Sequence, residues 1–350
     1  MIYLNNAQTT ILKPETVKTA GPASLQEAEK KTADFFSTGN NQNTFFTGSG
    51  REAVEIALRS ILHEGDHVVS TDLEHEDVVS VLDDLRAFGV ETDYVKTDHR
   101  GVLDYQALEQ AIRPETRALV VTMASNLIGN VTDMEKVTVI ARRHGVLVIS
   151  DGRQAAGAMD IRLKDLGIDV FCFTAHKKMM GPTGLGGICL KENLDVDLQC
   201  QTGLDSPLPL DNVSEETLGK FCAAVDFIKE KGIYGISVFP HRLAKRFFES
   251  VQSMDKVTVY GDFGTGIRIP TVTIKVEGFT GEEVKLHMRK NGIAVKDGNC
   301  GDLRLCEDLN VDPKDITRFS FGYFNTRREV NDTIWVLMDL LGLDDLYLLA

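Results

Sequence analysis

The sequence predicts an α/β protein with a mostly parallel, doubly wound sheet and a smaller C-terminal α+β domain. Between about residues 45 and 190, short β-rich runs alternate with amphipathic stretches. The β-rich runs are apolar along almost their whole length, as in parallel strands buried on both faces. This alternation predicts βαβ units with right-handed crossovers. Ligands of such sheets bind beyond the carboxyl ends of the strands.

The elements follow in chain order. In the first part of the chain we predict strands at His67–Thr71, Arg117–Met123, Val146–Ser150, Asp169–Thr174 and Leu185–Leu190, with helices at Val78–Phe88 and Met134–His144. The polar, proline-containing stretch Asp195–Ser214 predicts a loop, and the helix after it, Glu215–Lys231, should end at Gly232. Beyond it we predict helices at Val238–Met254, Glu282–Asn291 and Arg328–Leu341, and strands at Val257–Tyr260, Thr271–Val276, Ile293–Lys296 and Thr317–Phe321. The expected domains are 14–232 and 1–13 plus 233–350.

Composition narrows the class of protein. The 350 residues are 43% hydrophobic and 26% charged, which suits a folded chain of about two domains. Lys and Arg total 38 against 52 Asp and Glu, a net charge of −14 that argues against nucleic acid or a membrane as partner. No signal-like start or run of ~18 apolar residues is visible. Six cysteines without tight pairing fit a reducing compartment, so we expect a cytoplasmic protein.

The glycine-rich stretch Phe46–Ala53 (FTGSGREA) leads into a predicted helix. Free N–H groups and the positive dipole end of a helix make an anion site, most naturally for phosphate. Gly48, Gly50 and Ala53 also match G-x-G-x-x-A, which leaves a nicotinamide-dependent oxidoreductase open, as well as a simple tight turn. The polar segment 39–44 predicts no buried strand before these glycines.

Polar residues follow several predicted strands. Asp151 ends one strand and could be a ligand-facing acid or an N-cap. Lys177 lies in a Gly/Pro-rich turn beside apolar residues, where desolvation would make it a nucleophile or base, although a surface lysine stays open. His75, Asn126, Gln154 and His176 fall at comparable strand ends and should converge on one crevice with Asp151 and Lys177. His75 could instead be a solvated helix start.

Three further stretches complete a pattern: Tyr3–Ala7 (YLNNA), Ala111–Arg117 (AIRPETR) and Arg318–Thr326 (RFSFGYFNT). With the motifs above, the sequence resembles the class V aminotransferase family of fold-type I pyridoxal-phosphate (PLP) enzymes nearly end to end. Within that family it is most similar to cysteine desulfurases and selenocysteine lyases. The resemblance implies PLP as cofactor, a large PLP-binding domain and C–S or C–Se cleavage of an L-amino acid through a cysteine persulfide. Transamination, or C–S lysis without a persulfide, stays open.

The resemblance also implies roles. Lys177 would form the Schiff base with PLP and move the Cα proton, His75 would stack on the ring, and Cys300 would accept sulfur on a mobile loop. Asp151 would pair with the ring nitrogen and Gln154 with the phenolic oxygen, while Asn126 would reach that oxygen or the substrate carboxylate. Substrate would be held by Asn6, Asn126 and Arg318, although Arg318 could pair with Asp315 instead. The phosphate would be held by Thr47, Ser49, Gly50, Arg51, Thr174 and His176, with Thr202 reaching across a dimer interface.

Several positions depart from the family. Arg153 stands where a small residue lies under the ring, so its guanidinium would stack on the ring, swing away or obstruct the cofactor. Gln8 stands where the family has a small alanine, and Asn5 stands where it has an aspartate. The segment around Cys300 lacks the family's histidine. The segments 15–44 and 195–214 are short. These departures motivate a second hypothesis, a degenerate PLP-fold binding protein. We expect no metal site, because five residues separate Cys300 from Cys306. Expected partners are a small amino acid, a second copy of the chain in a homodimer and a sulfur-acceptor protein.

Overall fold

The computed structural model describes residues 1–39 and 43–343. The strands, in chain order, are β1 (Ile2–Tyr3), β2 (Thr44–Thr47), β3 (His67–Thr71), β4 (Glu91–Val95), β5 (Thr116–Thr122), β6 (Leu147–Asp151), β7 (Val170–Thr174), β8 (Gly186–Leu190), β9 (Val257–Tyr260), β10 (Thr271–Val276), β11 (Ile293–Ala294), β12 (Lys296–Asp297) and β13 (Ile316–Ser320). The helices are α1 (Glu15–Lys18), α2 (Leu25–Phe36), α3 (Gly50–Ile61), α4 (Glu76–Arg86), α5 (Tyr105–Gln110), α6 (Met134–His144), α7 (Leu163–Leu166), α8 (Glu215–Lys231), α9 (Ile233–Val251), α10 (Gly281–Lys290), α11 (Leu303–Asp308) and α12 (Arg327–Leu341).

The large sheet has the order β2-β8-β7-β6-β5-β3-β4. Its strands are parallel except at β8, which runs antiparallel to both neighbours, β2 and β7. The predicted mostly parallel sheet is therefore confirmed, and its five predicted strands agree with the observed bounds to within one residue.

Both faces of this sheet are buried. Along β7, Val170 and Cys172 pack into one apolar cluster with α3 and α4, whereas Phe171 and Phe173 pack into another with α6 and α8. Successive side chains of a strand point to opposite faces, so the apolar run of β7 supplies both cores. Helices on both faces make the sheet doubly wound, as predicted.

Two strands of the large sheet were not predicted. β2 directly precedes the glycine-rich turn, which corrects the expectation that no buried strand stands there; residues 40–42 of that polar segment lie outside the described residues. Phe46 is fully buried, and the short strand gains its remaining order by antiparallel pairing with β8. β4 is the opposite edge strand and alternates exposed with partly buried residues. A sheet-edge, antiparallel β2 is not the central parallel strand that a dinucleotide fold places before its glycines.

The second main sheet has the order β12-β13-β10-β9 and is antiparallel. It packs against α9, α10 and α12 through a third apolar cluster, and β1 pairs in parallel with β11. The α+β character of the C-terminal part is thus confirmed, while the domain boundaries at residues 14 and 232 stay a prediction. No helix within residues 1–39 and 43–343 is long and apolar enough to cross a bilayer.

Candidate active site

The carboxyl ends of β3, β5, β6 and β7 meet at one crevice, as predicted. His75, Asn126, Asp151, Gln154 and Lys177 all line the same small cavity there. Each follows its strand within a few residues, and neighbouring parallel strands end at the same edge of a sheet. The parallel strands therefore place residues as far apart in sequence as His75 and Lys177 at one crevice.

Lys177 is partly buried in the turn after β7. Among the described residues its Nζ has no hydrogen-bond partner, whereas the neighbouring Lys178 donates to the carbonyl oxygen of Phe321 at 3.1 Å. Burial, and then the charge of Arg153, lowers the pKa of Lys177 to about 7. A large share of this amine is therefore neutral at physiological pH, as a nucleophile or base requires.

A chain of hydrogen bonds joins the two sheets across the crevice. Gln154 Nε2 donates to Asn126 Oδ1 at 2.7 Å, and the same oxygen accepts from Arg318 Nη1 at 2.8 Å. Arg318 Nη2 donates to Asn5 Oδ1 at 2.9 Å. Arg318 is 2% exposed, and no carboxylate in the described part of the chain lies within 4.0 Å of it. The alternative pairing with Asp315 is wrong, because Asp315 binds Lys275.

His75 and the turn of Cys300 form the opposite wall. His75 caps helix α4, its Nδ1 accepting from the backbone N–H of Asp77 at 3.1 Å, so it both begins a helix and lines the crevice. A Cβ added at Gly301 would lie 2.4 Å from His75 Nε2, which shows how closely this turn packs on the imidazole. Cys300 has a φ of 55°, and its carbonyl oxygen accepts from Asn126 Nδ2 at 2.6 Å.

A second, larger cavity opens on the Arg318 side of Lys177. Its volume is about 350 Å³. It is lined by Ala7, Gln8, His75, Glu76, Asn126, Lys177, Lys296, Asp297, Asn299, Cys300, Gly301 and Arg318. Three of these residues, Lys177, Lys296 and Arg318, have basic side chains, and His75 adds an imidazole. A molecule the size of an amino acid has room beside the amine, the thiol and the guanidinium.

The sequence matches the aminotransferase class-V family over residues 3–206 and 215–332. The chain belongs to the class V aminotransferase family. Enzymes of this family are PLP-dependent, so the predicted enzyme class and cofactor are confirmed for the family to which this chain belongs.

Individual relatives agree with this placement. A probable cysteine desulfurase of Halalkalibacterium halodurans is 27% identical over 338 residues, 90% of this chain and 82% of the relative. A probable cysteine desulfurase of Methanothermobacter thermautotrophicus is 27% identical over 339 residues, 91% of this chain and 84% of the relative. The solved cysteine desulfurase of Thermococcus onnurineus superposes with a TM-score of 0.85 at 24% identity, covering 97% of this chain and 94% of the other. This likeness shows the fold, which is the PLP-dependent transferase fold type I.

Several of the residues predicted to bind phosphate lie together at the start of α3. Ser49 caps the helix by accepting from Glu52 N–H at 3.1 Å, and Thr47 donates to the carbonyl oxygen of Ser49 at 2.8 Å. A Cβ on Gly50 would lie 2.7 Å from Cβ of Thr174, so the end of β7 closes directly onto the helix start. Thr47, Ser49, Gly50 and Thr174 are thus brought together at the positive end of a helix.

The other predicted phosphate ligands are placed less uniformly. His176 Nδ1 lies 3.1 Å from Thr9 Oγ1, and burial, followed by the charge of Lys177, lowers its pKa to about 4. The Arg51 side chain is 64% exposed, with Nε 3.5 Å from Asp77 Oδ1. Thr202 donates to the carbonyl oxygen of Leu62 at the far end of α3, so its predicted action on a second copy stays a prediction.

Asn6 does not reach the crevice. Its amide nitrogen donates to the carbonyl oxygens of Tyr3 and Ser320 and to Asn325 Oδ1, at 3.2, 3.0 and 3.0 Å, and the side chain is 6% exposed. These bonds tie the N-terminal segment to β13, and the predicted contact of Asn6 with substrate stays a prediction. Asn5 contacts Arg318 instead.

Arg153 decides how well the site fits PLP. The amine of Lys177 and the buried Oε1 of Gln154 both lack a partner within the described residues, as expected for groups that await a ligand. Arg153, however, holds both oxygens of Asp151, with Nε at 2.9 and 3.0 Å and Nη2 at 2.7 Å. The cavity between Asp151 and Lys177 is about 10 Å³, roughly the space of one water molecule. The residues fit PLP in kind, but Arg153 occupies the carboxylate that would hold the ring nitrogen.

Charges around this arginine are tightly paired. Burial alone would raise the pKa of Asp151, but the charge and hydrogen bonds of Arg153 lower it below its ordinary value. Burial also opposes ionisation of Asp77, yet the contact with His75, whose Nδ1 lies 3.2 Å from Asp77 Oδ2, and the charge of Arg153 hold its pKa far below normal. Asp77 Oδ2 accepts from Arg153 Nη1 at 2.5 Å. Of the three alternatives predicted for Arg153, obstruction describes this arrangement.

Sequence reasoning missed two buried acids beside the crevice. Glu74 is 1% exposed, and burial raises its pKa to about 8; its Oε1 accepts from Thr122 N–H at 2.7 Å. Asp302 is fully buried, and burial raises its pKa to about 6. Glu74 adjoins His75 in sequence, but only the neighbouring strand β5 reveals that it points inward.

Proposed function

We propose that this chain is a PLP-dependent cysteine desulfurase or selenocysteine lyase that acts on a small L-amino acid. The observation that carries the proposal is one cavity lined by three groups: the thiol of Cys300, the amine of Lys177 and the guanidinium of Arg318. Within the described residues the amine has no hydrogen-bond partner and the guanidinium has no carboxylate partner. The names of the relatives agree with this activity.

PLP, when bound, supplies an electron sink beside the substrate's Cα. Lys177, Asp151, His75, Gln154 and the start of α3 would hold it. Lys177 carries the amine that attaches the cofactor and afterwards accepts the Cα proton at Nζ. Its pKa of about 7 suits a base at neutral pH.

Arg318 binds the substrate's α-carboxylate in this proposal. Its Nε is buried without a partner, and its two other nitrogens are fixed by Asn126 and Asn5. A guanidinium held this rigidly loses little entropy when a carboxylate docks, and it orients that carboxylate by charge-assisted hydrogen bonds.

Cys300 receives the sulfur. A sulfur–sulfur bond forms between its Sγ and the substrate, the substrate's Cβ–S bond breaks, and the electron pair returns to the carbon skeleton. That skeleton leaves as alanine after protonation, and the sulfur stays on Cys300 for an acceptor that carries a thiol. Burial raises the pKa of the Cys300 thiol, so the nucleophile needs substrate or cofactor to promote its ionisation.

The wider setting belongs to the same proposal. We place the enzyme in the reducing cytoplasm as a homodimer, in which Thr202 of one chain completes the phosphate site of the other. A sulfur-acceptor protein would approach at Cys300, which is partly buried at the rim of the larger cavity.

Covalent labelling tests the cofactor site. Protein incubated with PLP and treated with borohydride should carry one pyridoxyl group, and peptide mapping should place it on Lys177. Lys177→Ala should abolish the label, whereas Lys178→Ala is the adjacent control. Label on Lys178 or on surface lysines alone would refute the assignment.

Sulfide release tests the reaction. L-cysteine with a reductant should yield sulfide and alanine, and Cys300→Ala should lose both, with Cys200→Ala as an exposed-cysteine control. Sulfide release that survives Cys300→Ala would instead identify a C–S lyase without a persulfide, and transfer of the amino group to a keto acid would identify an aminotransferase.

A second candidate, a degenerate PLP-fold binding protein, is favoured by one observation. The Asp151–Arg153 pair already satisfies the carboxylate that would hold the ring nitrogen. Protein that takes up no label at Lys177 under any loading condition would support this candidate.

A further inference from the structure

The place of the cofactor ring contains an ion network that the chain supplies itself. Asp151, Arg153 and Asp77 form two consecutive salt bridges, and the side chains are 7, 7 and 14% exposed. Arg51 extends the network to solvent, with Nε 3.5 Å from the second carboxylate. The network therefore runs from the carboxyl end of β6 to the starts of α3 and α4.

Arg153 also narrows the anion site. Its Cδ would lie 2.9 Å from a Cβ at Gly50, the first residue of α3. The aliphatic stem thus packs against the first residue of α3, while the guanidinium covers the carboxylate that a ring nitrogen would need.

We propose that Arg153 is a built-in competitor of the cofactor, a guanidinium that takes the place of the ring cation on Asp151, so that PLP binds only when Arg153 releases this carboxylate. The identity of the cofactor rests on the proposed function; the competition rests on the contacts of Arg153.

Asp77 provides the position to which Arg153 retreats. Its carboxylate holds Nη1, a different nitrogen from the two that bind Asp151. Arg153 can therefore leave Asp151 and keep one buried ion pair, which avoids stranding an unpaired charge. The chain would bind PLP more weakly and capture it more slowly than the same site with a small residue at position 153.

PLP binding by three proteins tests this competition: wild type, Arg153→Ala and Arg113→Ala. Arg113 is the control, since it too is an arginine that bridges two carboxylates, Glu91 and Asp93, but it lies beside the edge strand β4. The dissociation constant is read from the absorbance of bound PLP, and the capture rate from the fraction of chains that borohydride labels on Lys177. Neither readout depends on turnover.

Arg153→Ala should bind PLP at least about tenfold more tightly than wild type and capture it faster, a gain of about 1.4 kcal/mol. Arg113→Ala should match wild type. If Arg153→Ala is poorly folded, Asp77→Ala/Arg153→Ala removes one carboxylate together with the guanidinium and is measured in the same way. Equal or weaker binding by the Arg153 variants would overturn the proposal, because Arg153 would then be indifferent to the cofactor or a ligand for it.

The outcomes separate this inference from the proposed function. Tight binding by wild type with no gain in Arg153→Ala refutes the competition and leaves the enzyme assignment intact. Binding by Arg153→Ala alone confirms the competition and refutes the PLP-dependent activity of the natural chain. Failure of both proteins to bind refutes the competition, since removing Arg153 would not have opened the site.

Discussion

The two halves of the crevice, on either side of Lys177, are built in opposite ways. On the Arg318 side a cavity of about 350 Å³ is lined by a buried guanidinium that has no carboxylate partner among the described residues. On the Asp151 side a cavity of about 10 Å³ is left, and the charges of Asp151, Arg153 and Asp77 are paired with one another. The substrate half awaits an anion, whereas the cofactor half has already neutralised its own charges.

This difference indicates which half limits binding of the cofactor. A buried cation without an anionic partner has lost the hydrogen bonds that water would give it. Binding an anion restores such hydrogen bonds and is therefore favourable in free energy. A buried ion pair must first be broken, and that costs free energy before any ligand contact forms. The open half should therefore bind amino acids readily, and the closed half should govern uptake of the cofactor.

Replacing Arg318 should give the largest effect. We expect Arg318→Ala to lower kcat/KM for L-cysteine about 100-fold, or ~2.7 kcal/mol, mainly by raising KM, since it removes charge-assisted hydrogen bonds to the carboxylate. Steady-state alanine formation measures this loss. Arg304→Ala, which removes a partly exposed arginine paired with Asp72, should change little.

Cysteamine separates binding from structure in this comparison. Cysteamine lacks the carboxylate, so wild type and Arg318→Ala should turn it over at the same low rate. A similar fall with cysteamine and with cysteine would mean that Arg318 acts through Asn126 and Asn5 rather than on the substrate.

The Lys177 amine lies between the halves, and its titration should appear in proton transfer. Exchange of the substrate's Cα proton with D₂O needs Lys177 but not sulfur transfer, so it is best followed by NMR in Cys300→Ala. With a pKa of about 7, the neutral amine grows roughly tenfold per pH unit below 7 and then saturates, so exchange should rise about tenfold from pH 6 to 8. A flat profile over this range would show that Lys177 titrates elsewhere.

The sequence predicted the open half better than the closed one. Lys177, His75 and Asn126 line the open half and follow strand ends, and parallel strands place such residues together by their own geometry. Arg318 was found through the resemblance, and its freedom from Asp315 became clear only from the register of β13 beside β10.

The closed half depends on contacts that no local pattern contains. Arg153 and Asp77 are 76 positions apart, so their ion pair comes from the packing of α4 against the end of β6. The resemblance marked position 153 as unusual and left three orientations of Arg153 open. The choice among them required the positions of the Asp151 and Asp77 carboxylates. In the same way, β2 is ordered by pairing with β8 rather than by its own short sequence.

Glu74 lies behind this closed half and should give the smallest effect, on stability. Its folded pKa of about 8 lies above the unfolded value, so folding favours the protonated acid, and stability falls as pH rises from about 4.5 to 8. Gln at this position cannot ionise, so between pH 6 and 7 the unfolding free energy of Glu74→Gln should rise relative to wild type by about 1 kcal/mol. Urea unfolding at the two pH values measures the difference, and the comparison cancels Asp302, Lys177 and Lys178, which titrate in both proteins. Glu76→Gln, at an exposed neighbour, should show no such change. A pH-independent difference between Glu74→Gln and wild type would mean that the closed half tolerates a third buried carboxylate, and its charges would then be less tightly balanced than the ion pairs imply.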